Sequence, residues 1–332
     1  SINQMGGVFY DDSSQCYFVC SHNPAAVFII NRVSGQIDKI MTDADGNRLQ
    51  LCINIEKDLH NNLWLLTDNH VYIYNRNTGK FVLFPTPNNG TKATFRDMLH
   101  DEEGNYWFAP YNDRLFYYNS VQRKFTVPKD SSLRRIRNVT GINSVGNKGE
   151  ILIGSFGEAI YSYNLFTGKK VNYYNEKGEV AYSALFLIND IGKNANGTLW
   201  VATTSGGVFM YNPGMPFEKA FTGFDMKAGF TNNNILSLCS DDDTTLWLLS
   251  GNGLSAMNTE GKFLFDLKDE LPFNFTSYTS DNIFPHDIFF SSQNKELLVG
   301  VGGGLLIHSV KQKDRVASFP IVITNTKASG ET

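Results

Sequence analysis

A short apolar strand recurs seven times along this 332-residue chain at nearly constant spacing, and four copies are built around a tryptophan. The clearest read NLWLLT (62–67), NYWFAP (105–110), TLWVAT (198–203) and TLWLLS (245–250). Weaker copies are centred on Tyr17, Leu152 and Leu298. The anchors Tyr17, Trp64, Trp107, Leu152, Trp200, Trp247 and Leu298 stand 47, 43, 45, 48, 47 and 51 residues apart. A period in this range marks a repeat architecture, in which each unit leaves an apolar face that only its neighbours can cover.

Each repeat reads as four strands. In residues 51–84, LCINI is followed by the turn residues of DLHN, the tryptophan strand by TDNH, and the alternating VYIYN by RNTG, before KFVLF closes the unit. Four short strands joined by turns form an antiparallel meander. The punctuation keeps register. Asp11, Asp58, Asp101 and Asp241 stand six residues before an anchor, with Asn194 in the fifth repeat; Gly104, Gly149 and Gly197 stand three before, with Asn61 in the second. Asp and Asn bond their own turn backbone, and Gly and Asn tolerate positive φ. Asn31, Asn75, Asn119, Asn164, Asn212 and Asn258 follow the third strand.

A sheet apolar on both faces must stack on its copies, and stacking around an axis gives a propeller. The expected fold is all-β: a seven-bladed propeller with four antiparallel strands per blade. The blades fall near 7–41, 51–84, 95–127, 139–174, 187–222, 235–267 and 284–318. The innermost strands are expected at 7–11, 51–55, 95–99, 139–144, 187–192, 235–239 and 287–291. Each blade is self-contained, so the ring is expected to close by packing of the first blade on the seventh, helped by residues 1–5. Residues 1–318 form the propeller and 319–332 begin a following immunoglobulin-like domain or linker.

Composition excludes several classes. A formal charge of −4 lacks the basic excess of a nucleic-acid surface, so no nucleic acid is expected on this segment. The longest apolar runs fall far short of the roughly 20 residues of a membrane helix. The four cysteines show no zinc spacing, and no metal or cofactor is expected. Cys16 and Cys20, four apart on one strand, are roughly 13 Å from each other and too distant to bond; Cys20 and Cys52 are placed to approach from neighbouring strands.

The blade pattern, Ile-x-x-Ile-x-x-Asp-x-x-Gly-x-Leu-Trp-x-x-Thr, then Gly-x-x-x-Tyr-Asn and Thr-Gly-x-Phe, resembles the two-component regulator propeller repeat. Residues 97–119 and 187–212 match it closely, and the first and seventh repeats are degenerate. The run FPIVITN (319–325) is similar to the first strand of the immunoglobulin-like domain that in this family follows the last propeller. The resemblance implies the periplasmic sensor region of a hybrid two-component system of Bacteroidetes, part of an inner-membrane protein that responds to polysaccharide-derived oligosaccharides. It implies an adjacent propeller and an immunoglobulin-like domain in the same chain, a homodimer in the intact sensor, and a histidine kinase elsewhere in the full-length protein.

Candidate ligand residues lie on the face that carries the loops leading into each inner strand and the loops joining second to third strands. They are His22 after the first anchor strand, Tyr111, Asp113 and Arg114 after the third, and Glu158 after the fourth. The linkers before inner strands add Arg135, Arg137, Tyr182, Tyr278 and His286. Aromatic faces stack on sugar rings, and Arg makes forked bonds to carboxylate or sulfate. Against this stands the plainer reading, in which the arginines are solvated and the aromatics pack beneath their own loops. No catalytic residue is assigned. A glycosidase or lyase would need converging carboxylates, for which Asp113 and Glu158 are the nearest pair. A third class is a platform that packs against a partner without binding ligand itself.

Overall fold

The computed structural model describes residues 4–310 except 87–92, 127–132, 134–135, 147–148, 158–159, 174–184, 186, 231, 242–243, 251–252, 267–286 and 302–303. It is a seven-bladed all-β propeller. Six sheets contain four antiparallel strands in sequence order, and the seventh contains three among the described residues. The fourth strand expected near residue 316 and the segment 319–332 lie outside the described residues. Two 3-10 turns, Phe217–Lys219 and Met226–Ala228, are the helical elements described.

The inner strands are Gln4–Asp11, Cys52–Lys57, Thr94–His100, Val139–Ser144, Ile188–Lys193, Ile235–Ser240 and Ile288–Ser291. The inner strands of neighbouring blades pack on one another around the ring, including the first on the seventh. The first six each carry a register shift where the strand meets its blade partner, between Met5 and Val8, Cys52 and Asn54, Phe95 and Asp97, Val139 and Gly141, Ile188 and Asp190, and Ile235 and Ser237. A bulge adds twist and turns the following side chain toward the neighbouring blade.

Seven apolar clusters fill the seven junctions between blades. Trp64 packs with Phe95 and Phe108 of blade 3. Trp107 packs with Ile142 and Ile153 of blade 4, and Leu152 with Ile191 and Val201 of blade 5. Trp200 packs with Leu246 and Leu248 of blade 6, and Trp247 with Leu297 and Val299 of blade 7. The tryptophans are interblade core.

Blade 1 departs from the expected register. The anchor that faces blade 2 is Phe18, packed with Leu63 and Leu65; Tyr17 instead packs toward blade 7 with Leu298 and Leu305. The cause is a turn one residue longer. The positive-φ position three before the anchor is Gln15 (φ 53°), as Asn61 (63°) and Gly104 (79°) are elsewhere.

The ring closes by packing and polar contacts. Met5, Val8, Tyr17, Val19, Leu298, Leu305 and Ile307 form one buried cluster. Around it, Tyr17 Oη donates to Glu296 Oε2 at 2.7 Å and Arg32 Nη2 to Glu296 Oε1 at 2.9 Å. Between blades 1 and 2, glycine is required: a Cβ on Gly7 would lie 2.9 Å from Asn54 Cα, closer than real Cβ contacts allow. Cys20 and Cys52 share the buried cluster of that junction as free thiols.

Candidate functional site: the axial channel and its loop-bearing mouth

The inner strands bring four carboxyl groups to the middle of the ring: Glu56 of blade 2, Asp97 of blade 3, Asp190 of blade 5 and Asp287 of blade 7. Each is half-buried. Asp97 and Asp190 follow the bulge of their inner strand, Glu56 lies two residues beyond Asn54, which follows its own, and Asp287 directly precedes its strand. Each accepts a backbone N–H from the next blade round the ring. Glu56 Oε1 accepts from Met98 N (3.3 Å), Asp97 Oδ2 from Ile142 N (2.7 Å), Asp190 Oδ2 from Leu238 N (3.0 Å), and Asp287 Oδ2 from Val8 N (3.3 Å). Where blade 4 has no carboxylate, Thr140 Oγ1 donates to Ile188 O (2.8 Å) and Asn143 Nδ2 to Ile191 O (3.3 Å).

Enclosure in the ring penalises charge on these groups. It raises the Glu56 carboxyl well above its ordinary range, and the neighbouring Asp97 adds to the effect. Asp97 is raised to about 7, again chiefly by burial, with its interaction with Glu56 opposing the rise. Asp287 is raised to about 7 by burial and then by the charge of Asp190, itself raised by burial. Among the described residues, no group of three or more His, Cys, Asp or Glu side chains could hold a metal ion. The acids are interblade acceptors.

One end of the channel carries the loops that join second to third strands. They are tied to the start of an inner strand, often that of the next blade. Thr94 Oγ1 donates to Asp68 Oδ1 (2.7 Å), and Asn69 and Ala93 exchange bonds (Asn69 N to Ala93 O, 3.0 Å; Ala93 N to Asn69 Oδ1, 3.1 Å). Asn112 N donates to Asn138 Oδ1 (3.3 Å), Phe156 N to Asn138 O (2.9 Å), and Gly207 N to Asn233 O (2.9 Å). The mouth is therefore a braced surface rather than a set of independent loops.

Within it, the Arg96 guanidinium lies over the Tyr111 ring, 4.2 Å from the centroid. Burial pulls the guanidinium down to about 9, partly opposed by Tyr111. The Asn112–Asn138 bond sets the Asp113–Arg114 turn beside exposed Arg137, whose carbonyl accepts from Ser155 Oγ (2.6 Å). Of the candidates read from the sequence, Tyr111, Asp113 and Arg114 thus lie on one loop, which is bonded to Asn138, the residue after Arg137. His22 is not with them; it is buried, with Nε2 3.0 Å from where a Cβ on Gly6 would stand. Arg135, Glu158, Tyr182, Tyr278 and His286 lie outside the described residues. Arg96 and the four channel acids were not among the candidates. Their signal was a charged residue inside or beside a strand otherwise expected to be buried on both faces.

No family model matches the chain, and no curated protein matches it. Solved structures do. The extracellular domain of a putative hybrid two-component system from B. thetaiotaomicron superposes with a TM-score of 0.71 at 19% identity, over 92% of this chain and 39% of that one. The extracellular domain of a putative one-component system from the same organism gives a TM-score of 0.53 at 15% identity, over 96% of this chain and 49% of that one. The chain shares its fold with part of each. It spans less than half the length of either.

Proposed function

We propose that this propeller is an extracytoplasmic sensor module that binds polysaccharide-derived oligosaccharides at its loop-bearing mouth and hands the change to a membrane-anchored histidine kinase. The observation that carries the reading is the stacked Arg96–Tyr111 pair beside Asp113, Arg114 and Arg137 on a braced surface. An aromatic face with guanidinium groups suits a pyranose bearing carboxylate or sulfate, because stacking and forked bonds act on one ring together. The fold likeness to two extracellular domains of putative regulatory systems supports an extracytoplasmic setting. A rigid ring moves as a body, so the signal would be a shift between packing arrangements of whole propellers.

Calorimetry against neutral and acidic glycan fragments tests this, run on the propeller and on the intact protein. Saturable binding weakened by at least about fivefold in Tyr111→Ala is the expected result, since stacking contributes roughly 1 kcal/mol or more. Binding unaffected by that substitution would place the site elsewhere.

A second reading, a docking platform, rests on the opposite face. Exposed apolar side chains cap turns there in five blades: Val33, Leu59, Val121, Phe166 and Met215. Binding by the intact protein but not by the propeller would favour it.

A further inference from the structure

Ser237 Oγ lies between two carboxyl groups, 2.9 Å from Asp190 Oδ2 and 3.0 Å from Asp287 Oδ1. A serine hydroxyl has one proton and can donate to one of them. The other oxygen pair would then meet lone pair to lone pair, unless that carboxyl is itself protonated and donates to Ser237. Each carboxyl also accepts from backbone donors: Leu238 N on Asp190, and Ile288 N (2.9 Å) and Val8 N (3.3 Å) on Asp287. One acid proton completes the set.

We propose that Asp190, Ser237 and Asp287 form a proton-holding clasp that joins blades 5, 6, 7 and 1, so that losing the proton loosens the ring at the junction where it closes. The junction matters because, among the described residues, no strand is shared between blades 7 and 1, and Asp287 contacts both Ser237 and the inner strand of blade 1.

Among the described residues, the groups around the clasp offer no countercharge. The charge of Asp190 reaches Asp97 on blade 3, that of Asp287 reaches Glu56 on blade 2, and both acids lie within electrostatic reach of the Cys239 thiol of blade 6, as Asp287 does of Cys20 of blade 1. The inner strand of blade 4, Val139–Ser144, has no ionisable side chain. The cations on the packed strands are directed elsewhere: Lys57 to Asp12, Arg96 over Tyr111, and Lys193 Nζ to Ser144 Oγ. His22 lies against Gly6 on blade 1, and Glu296 is held by Tyr17 and Arg32.

Enclosure raises Asp287 to about 7, against about 4 for an unfolded carboxyl. The folded state therefore binds the extra proton across that window. Stability falls as pH rises from about 4 to about 7 and levels off above.

Two measurements on this chain test the clasp. Infrared spectroscopy of the folded protein at pH 6 should show the carbonyl stretch of a protonated carboxyl group. The band should persist in the Glu56→Gln/Asp97→Asn double variant, which removes both acids of the other carboxyl pair, and diminish when Asp287→Asn is added, whose amide can donate to Ser237 without a titratable proton. Thermal melts from pH 4.5 to 8 should show the wild-type midpoint dropping by several degrees toward neutrality and that of Asp287→Asn dropping less, the remainder belonging to Asp97. A missing protonated-carboxyl band in the folded Glu56→Gln/Asp97→Asn double variant at pH 6 would overturn the proposal. So would equal pH slopes for wild type and Asp287→Asn. If either variant fails to fold, the wild-type spectrum decides: no protonated carboxyl at pH 6 is incompatible with the clasp.

Discussion

The aspartate six residues before a tryptophan does more than form its turn. Asp58 Oδ1 accepts from His60 N (2.8 Å) and Asn62 N (2.9 Å), and Oδ2 from Trp64 Nε1 (2.9 Å) and Tyr106 Oη of blade 3 (2.9 Å). Asp101 holds Trp107 Nε1 in the same way at 2.9 Å. Blade 1 has Phe18 instead of tryptophan, and Asp11 takes the Arg76 guanidinium of blade 2 (Nη2 to Oδ1, 2.9 Å). Turn chemistry was legible from residue type, but the indole bond was not, because spacing does not show which donor the second oxygen meets. Indeed Asp241 keeps the spacing while Trp247 Nε1 has no partner among the described residues. In blade 5 the position is held by the amide of Asn194, which accepts from Thr198 N (2.8 Å), while its own Nδ2 and Trp200 Nε1 are both buried without partners among the described residues. Asn194→Asp replaces two orphaned donors by one charge-assisted bond. It should stabilise the protein by about 1 kcal/mol at pH 7 in urea or thermal unfolding. Destabilisation would mean that the cost of burying the carboxylate exceeds the bond.

At the scale of strands and blades, the sequence was most informative where the period was strict. The fourth inner strand lies at 139–144 as expected, and the others differ at their ends by three residues or fewer. What the period could not supply was the departure in blade 1, where a longer turn moves the anchor to Phe18. It also could not supply the partners across the closing junction, which are 264 to 279 residues apart in sequence. The ion pairs at this junction and at the neighbouring one between blades 1 and 2 are unequal. Glu296 is buried and receives both Tyr17 and Arg32, whereas Lys57 and Asp12 meet at 3.8 Å with about half of the Asp12 side chain exposed (49%). Glu296→Gln should cost roughly 1–2 kcal/mol, because two donors lose a charged acceptor in a protected site. Asp12→Asn should cost close to nothing, as exposed pairs do. Equal effects in chemical unfolding would show that closure depends on the apolar cluster alone.

The whole ring creates environments that no blade has by itself, and this is why the site was only partly legible. Tyr111, Asp113, Arg114 and Arg137 sit on irregular loops, which stand out against a regular repeat. Arg96 and the channel acids belong to the repeat and became distinctive only when seven inner strands enclosed them. The same enclosure divides the carboxylates into two populations with opposite linkage. On the turn face, burial would raise Asp58, but hydrogen bonds from Asn62, Trp64 and Tyr106 outweigh it and hold it below its ordinary range. Asp11 is likewise held low, with Arg76 and Ser14 outweighing burial. Groups of this kind contribute stability above their unfolded pKa of about 4 and lose it as pH falls through the lower folded value. The channel acids run the other way, and their contribution declines from about pH 4 to about 7. The two limbs place maximum stability near pH 5, with a loss on the order of a few kcal/mol toward both pH 2.5 and pH 8. Asp58→Asn separates them. It should lower stability at pH 7 and flatten the acid limb, while leaving the decline between pH 5 and 7 unchanged, because that decline belongs to Asp97 and Asp287. A stability profile that rises steadily from pH 5 to 8 would contradict the assignment of raised values to the channel.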